Sequence, residues 1–294
     1  MPRFLPKPRL REKLRLSASD RALIAKLARA AKGGIITVPD AATALGTSRR
    51  TAALKLAALA RRDWLIRARR GMYLVLPLEA EPGQPTIAED AWLLAHEAFS
   101  PCYIGGWSAA EHWGLTEQIF RKTLVVTAAH IRRRSENILG HDFLLFRAPA
   151  SRTAGSGITS VWRGSDRAPV STPERTIADC LRHPELCAGI RNLADFMREY
   201  GSRKDRRLDE LLSEVASIGT GAAWKRLGYL SEQLWADAPE VAAEARNHLT
   251  SGYTYLDPSI RRRGKLLTKW KLWINVHLPP TIELSRDDSQ AGDH

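Results

Sequence analysis

The stretch PDAATALGTSRRTAALKLAALARRDWLIRARRGMYLVLPL, residues 39–78, decides how the N-terminal part folds. Pro39 suits the first turn of a helix, where an N–H would lack an acceptor anyway, and Gly46 ends that helix after Leu45. Thr47 or Ser48 then caps a further helix running to about Arg62. Asp63 leads into WLIRAR, the turn Arg70-Gly71 and MYLVLPL, two β-prone runs joined by a basic hairpin tip. Upstream, Leu23, Ile24, Leu27 and Ala31 recur at helical spacing, with Ser19 or Asp20 as N-cap and Gly33-Gly34 as the stop. The run Ile35-Ile36-Thr37-Val38 is β-prone. Three helices followed by a basic hairpin predict a winged helix-turn-helix over residues 17–78.

In such a module the third helix lies in the major groove, its outer face toward base edges and its inner face on the core. With Leu56 as the core direction at about 100° per residue, Ala52, Leu59 and Ala60 fall on the inner face, and Arg50, Thr51 and Lys55 point away. Arg50 can donate two hydrogen bonds to guanine, Thr51 can meet a base edge or a thymine methyl, and Lys55 suits guanine or phosphate. Arg49 points toward the core side, so it reaches a backbone phosphate or packs its stem. Thr47 and Ser48 sit where free N–H groups and the helix dipole favour phosphate. Arg67, Arg69 and Arg70 on the hairpin would enter the adjacent minor groove or follow the backbone.

Charge distribution supports a polyanionic partner. The chain of 294 residues carries a formal charge of +13. Residues 1–80 hold 18 Lys and Arg against 5 Asp and Glu, and residues 81–294 hold 27 of each, so the whole excess lies at one end. Each cation placed on a phosphate releases a condensed counterion, which gives such segregation a use. Residues 1–16 form a basic arm broken by Pro2, Pro6 and Pro8; it lies along DNA or touches nothing. That segment has neither the apolar stretch nor the cleavage site of a signal peptide, and no run of about 18 apolar residues occurs, so a cytoplasmic protein without a membrane partner is expected.

Residues 79–88, rich in Pro and Glu, read as a linker to a larger domain over residues 89–283, with a polar tail at 284–294. Helices are expected at Ile87–Phe99 and within GGWSAAEHWGLTEQ, where Ser108 and Glu111 have capping-box spacing. Strands follow at Thr123–Thr127, Phe143–Arg147 and Ile158–Trp162. Helices then occupy Pro173–Arg182, Glu185–Tyr200, Asp205–Ser217, Ala222–Leu234 and Pro239–Leu249, before a last strand at Lys271–Val276. The fold class is α+β: a winged helix-turn-helix, then a mixed α/β domain with strands early and helices late.

The second domain offers little catalytic chemistry. Cys180, His183 and Cys187 are closely spaced, but Pro184 interrupts the geometry and Cys102 is far off in sequence, so no metal site is expected and the cysteines read as core residues. Glu174 and Asp179 lie five apart, about 140° around a helix, and do not converge; Glu174 reads as a cap. No phosphate-binding glycine loop, zinc-protease motif or nucleophile elbow occurs, which argues against an enzyme and implies no cofactor. The basic clusters Arg132–Arg134 and Arg261–Lys265 extend a DNA footprint, bind an acidic partner or are solvated loops.

Three separated segments, YIGGWSAAEHWGLTEQ (Tyr103–Gln118), VSTPERTIADCLRHPEL (Val170–Leu186) and RLGYLSEQL (Arg226–Leu234), follow a winged helix that ends in RRGMYLV. Together they resemble the AbiE-type (AbiEi) antitoxins, transcriptional regulators of type IV toxin–antitoxin systems linked to abortive phage infection. The resemblance covers roughly residues 15–280. It implies a repressor that binds double-stranded DNA at inverted repeats in its own operon, with a C-terminal domain that antagonises a nucleotidyltransferase-like toxin, with or without direct contact. It marks Gly105, Gly106, Trp107, Glu111, Trp113, Pro173, Glu174, Thr176 and Asp179 as the antitoxin-domain motif. As residues, most of these read as fold determinants: glycines for a turn, tryptophans for packing, Pro173 at a helix start. A nucleic-acid-processing enzyme, or a repressor without a toxin partner, stands as the alternative.

Overall fold

A computed structural model describes residues 17–76, 90–218, 220–260 and 264–278. The expected arm 1–16, linker 79–88 and tail 284–294, and Arg261–Arg263 of the second basic cluster, lie outside the described residues. Among the described residues there are two compact units, one drawn from Met1–Ala109 and Gln118–Thr172, the other from Ala110–Glu117 and Pro173–His294.

The first unit begins with the winged helix: α1 (Ala18–Ala30), β1 (Ile35–Thr37), α2 (Val38–Leu45), α3 (Arg49–Arg61), β2 (Leu65–Arg69) and β3 (Met72–Val75). The cap of α1 is Ser17, whose hydroxyl accepts from the Asp20 N–H, rather than Ser19 or Asp20. Ser17 is the last extended residue, and this decides the cap. Gly46 closes α2 at φ 60°, a left-handed conformation that glycine adopts without steric cost, and its N–H returns to the carbonyls of Ala42 and Thr43. Strands β1 and β2 flank β3 in an antiparallel sheet. Ile24, Leu27, Ile36, Ala52, Leu56, Leu59 and Tyr73 form the shared core. Burying each leucine or isoleucine contributes about 1.5–3 kcal/mol.

The same unit continues with α4 (Ala91–Phe99), β4 (Cys102–Ile104) and α5 (Gly106–His112), which runs on into the second unit. Then come β5 (Thr123–Thr127), β6 (Ser135–Ile138), β7 (His141–Arg147), β8 (Ile158–Arg163) and β9 (Asp166–Ser171). They make a six-stranded mixed sheet in the order β6-β7-β5-β4-β9-β8, with α4 packed on β4, β5 and β9. Asp90 caps α4 by accepting from the N–H groups of Trp92 and Leu93, and Arg163 donates to its second oxygen at 2.7 Å. Strands β4, β6 and β9 were not expected from the sequence. The first two are three and four residues long, too short for an alternating pattern to register.

Hydrogen bonds clasp the winged helix to this sheet and to α4. The Gly33 N–H donates to Asp166 at 2.9 Å, and Arg69 donates to the Ala98 carbonyl at 2.8 Å while lying over the Phe99 ring. Gly33 has φ 53°, and a Cβ there would come within 2.6 Å of Leu93. The close approach of the winged helix to α4 therefore depends on the missing side chain.

The second unit is helical: α6 (Pro173–Arg182), α7 (Ile190–Ser202), α8 (Leu208–Ile218), α9 (Gly221–Leu234) and α10 (Pro239–Asn247). A small sheet of β10 (Thr254–Tyr255), β11 (Lys265–Leu267) and β12 (Leu272–Ile274) completes it, in the order β10-β12-β11. The single helix expected over Glu185–Tyr200 is two pieces. Pro184–Cys187 form a 3-10 turn, and Ala188 and Gly189 take positive φ, so helix geometry restarts only at Ile190. There the Asp257 carboxylate accepts from the Ile190 N–H at 2.9 Å, a cap supplied from 67 residues away.

Cys102, Cys180 and Cys187 are free thiols and all buried. Burial pushes the Cys102 thiol up to about 12 and raises Cys180 well above its ordinary value. All three thiols are shut away from reagent by burial, so a thiol-disulfide reagent at pH 8 is expected to modify none of them until the chain unfolds. Rapid titration of even one thiol in the native protein would contradict this packing.

Candidate nucleic-acid interface

Helix α3 is built for one-sided exposure. Ala52, Leu56 and Leu59 are buried on the core, whereas Arg49, Arg50, Thr51 and Lys55 are exposed. Ser48 is its cap: the hydroxyl accepts from the Thr51 N–H at 3.1 Å and shares a hydrogen bond with the Thr51 hydroxyl at 3.0 Å. Thr47, also expected near phosphate, is half-buried, and its hydroxyl has no hydrogen-bond partner among the described residues. Arg49 is exposed as the first residue of the helix, where the core does not yet enclose it.

The exposed face holds a residue that sequence reasoning passed over. Leu54 is 64% exposed, between Arg50 and Thr51 one turn back and Lys55 beside it. The signal was present, because at 100° per residue Leu54 points almost directly away from Leu56. An apolar tip among donors is what a thymine methyl would meet in the major groove.

On the hairpin, Arg67 and Arg70 are exposed and carry no ion pair among the described residues. Arg69 is engaged inside its own unit, on the Ala98 carbonyl, over Phe99 at 5.0 Å and 3.7 Å from Glu136. Arg62, at the end of α3, is likewise committed: it donates to Asp20 at 2.8 Å and holds that carboxyl below the usual carboxylate range. On the third helix and the wing, the cations left open to a polyanion are thus Arg49, Arg50, Lys55, Arg61, Arg67 and Arg70.

The motif residues of the larger domain sit mostly in packed positions. The Gly105 N–H donates to the Leu124 carbonyl, and a Cβ there would crowd Val126 and Tyr103. Gly106 takes φ 51° at the start of α5. Trp107 stacks on Phe120 and donates from its indole to the Lys122 carbonyl at 2.9 Å. Ser108 lies inside α5 and its hydroxyl accepts from the Leu124 N–H, so it does not cap the helix with Glu111, which is exposed. The Trp113 carbonyl, in the second unit, accepts from Arg203 at 2.8 Å.

Pro173 opens α6, and Glu174 and Asp179 are each drawn into an ionic group. Glu174 is no cap: its carboxylate accepts from the Tyr200 hydroxyl at 3.1 Å and from Arg207 at 3.0 Å. Burial and the Glu174 charge push the Tyr200 hydroxyl up. Arg175 bridges Asp179 at 3.0 Å and Glu214 at 3.3 Å, all three buried, and Thr176 is fully buried beside them in the helix. Among the described residues no group of three His, Cys, Asp or Glu is placed to hold a metal. His183 accepts from Arg182 and lies 3.4 Å from Glu185. No described helix is long and apolar enough to cross a membrane.

Comparison with known proteins gives two positive findings. Residues 23–75 match the family described as transcriptional regulator, AbiEi antitoxin. The matched segment is the winged helix, whereas the three motifs that carry the sequence resemblance lie beyond it. The structure is also similar to the crystal structure of the RV2827C protein from Mycobacterium tuberculosis, with a TM-score of 0.54 and 17% identity over 88% of this chain and 92% of that one. That likeness shows a shared fold. No curated protein matches the chain.

Proposed function

We propose that this protein is a sequence-specific DNA-binding repressor of its own operon, and the antitoxin of a type IV toxin–antitoxin pair whose toxin is nucleotidyltransferase-like. It would act in the cytoplasm, bind inverted repeats, and do no chemistry of its own. The observation that carries this reading is the open face of α3, where Arg50, Thr51, Leu54 and Lys55 stand together on the segment that matches a regulator and antitoxin family. Arg50 would read guanine, Leu54 a thymine methyl, Thr51 a base edge and Lys55 guanine or phosphate. Ser48, Arg49, Arg67 and Arg70 would position the module on phosphates, with Thr47 near the same helix end. Arg69 would serve the wing indirectly, by fixing where it stands. The motif residues from Gly105 to Asp179 would shape the antitoxin domain rather than touch a substrate.

The test is duplex binding to the region upstream of the gene, against a scrambled duplex of the same composition. Arg50→Ala is expected to weaken specific binding by about 1–3 kcal/mol, and Lys55→Ala to weaken it too. The Arg50→Ala loss should be much smaller on scrambled DNA. Equal loss on both duplexes would rule out base readout by Arg50. Co-expression with an adjacent nucleotidyltransferase gene checks the antitoxin half: the full chain should restore growth. Failure to do so would leave a repressor alone.

A further inference from the structure

The six-stranded sheet ends on β8, and among the described residues no strand covers its outer edge. Edge strands of monomers are guarded by proline, lysine, a bulge or short length. None of these guards β8. Its sequence ITSVWR runs six residues, pairs with β9 without a register shift, and turns its one charge, Arg163, to Asp90 at 2.7 Å. The Gly157 carbonyl accepts from the Thr172 N–H, which fixes the phase of the ladder. Thr159, Val161 and Arg163 therefore direct their backbone groups at β9, whereas Ser160 and Trp162 hold N–H and C=O outward, together with the Ile158 carbonyl. The Ile158 N–H donates to Gly155. Trp162 is 64% exposed, and the Arg167 guanidinium lies over its ring at 4.1 Å.

We infer that β8 pairs antiparallel with β8 of a second copy of this chain, in the register that sets Ser160 opposite its own equivalent. The strand is its own complement there. The two Ser160 residues exchange N–H to C=O bonds, and each Trp162 N–H meets the other copy's Ile158 carbonyl. Cross-strand side chains stand about 5 Å apart, so each indole lies against the opposing Ile158, an aromatic on a β-branched residue. On the other face Thr159 meets Val161, and no position sets like charges together. A slip of two residues either way would place each Trp162 against a serine, Ser156 or Ser160, and lose the apolar pairs. The seam is short, so association is weak and depends on concentration. Self-pairing stands apart from the DNA-binding reading, although a two-fold pair of winged helices matches the symmetry of inverted repeats.

Sedimentation equilibrium of the full chain, from about 1 to 200 µM without DNA, should follow a monomer–dimer equilibrium. Ser160→Pro removes the N–H at the centre of the seam, and proline is tolerated on an edge strand where that N–H faces solvent. Its Tm should stay near wild type while the dimer dissociation constant rises about tenfold or more, for two hydrogen bonds lost. Trp162→Lys should weaken the dimer as well. Under an oxidant, Ser160→Cys should give a covalent dimer, because Cα atoms paired about 5.5 Å apart lie within disulfide reach. Ile158→Cys should not, since that position stands about 13 Å from its equivalent. The native cysteines are buried and do not compete. A wild-type chain that stays monomeric throughout the concentration range would overturn the inference. So would a dimer that neither Ser160→Pro nor Trp162→Lys weakens, or one cross-linked by Ile158→Cys in preference to Ser160→Cys.

Discussion

Replacing Arg175 by alanine is expected to destabilise the second unit by about 3–5 kcal/mol, measured as a lowered denaturant midpoint at pH 7. Arg175 is 5% exposed and lies between Asp179, 1% exposed, and Glu214, 8% exposed. The cost comes less from losing two hydrogen bonds than from removing the cation that binds two buried carboxylates. Replacing all three partners by leucine or methionine should recover much of the loss, because it removes the desolvation cost along with the attraction. A single substitution within 1 kcal/mol of wild type would mean that water reaches the group.

Arg226→Met should cost nearly as much, for a different reason. The Arg226 guanidinium donates to the carbonyls of Leu256 at 2.9 Å, Leu181 at 2.8 Å and Tyr255 at 3.1 Å, and reaches Arg182 at 3.4 Å. Leu181 and Arg182 end α6, where carbonyls have no partner within the helix, and Tyr255 and Leu256 lie at β10. Burial lowers Arg226 to about 10, so charge is costly there and only a full set of acceptors sustains it. Methionine fills the space and leaves those carbonyls without a donor, at roughly 1–3 kcal/mol for each buried one left unsatisfied. Lysine keeps the charge but cannot spread donors in a planar fork, so Arg226→Lys should be destabilised as well. Equilibrium unfolding of both variants decides it: a lysine variant as stable as wild type would show that charge, rather than geometry, is what α6 requires.

The winged helix was legible in the sequence because its signals are local. Pro39, Gly46 and Ser48 set helix ends within a few residues, and the face of Leu56 follows from spacing alone. Arg69 escaped for a physical reason. The pairing of β2 with β3 shifts register between Arg67 and Arg69, so a strict alternation that puts both on one face does not hold there. Glu174 and Arg175 were unreadable because their partners Arg207 and Glu214 lie 33 and 39 residues on, and Arg226 binds carbonyls 29 to 45 residues away. Such groups look like ordinary surface charges until the fold brings them together. The shortest strands failed for the opposite reason, being made by their neighbours rather than by their own pattern.

Gly33 on Asp166 of β9 and Arg69 on Ala98 of α4 hold the winged helix to the rest of its unit at two separate points. A module hung on a flexible tether would surrender its rotational freedom each time it found a site. Here that freedom is given up once, during folding, so in the proposed repressor less of the grip on DNA would be spent on orientation.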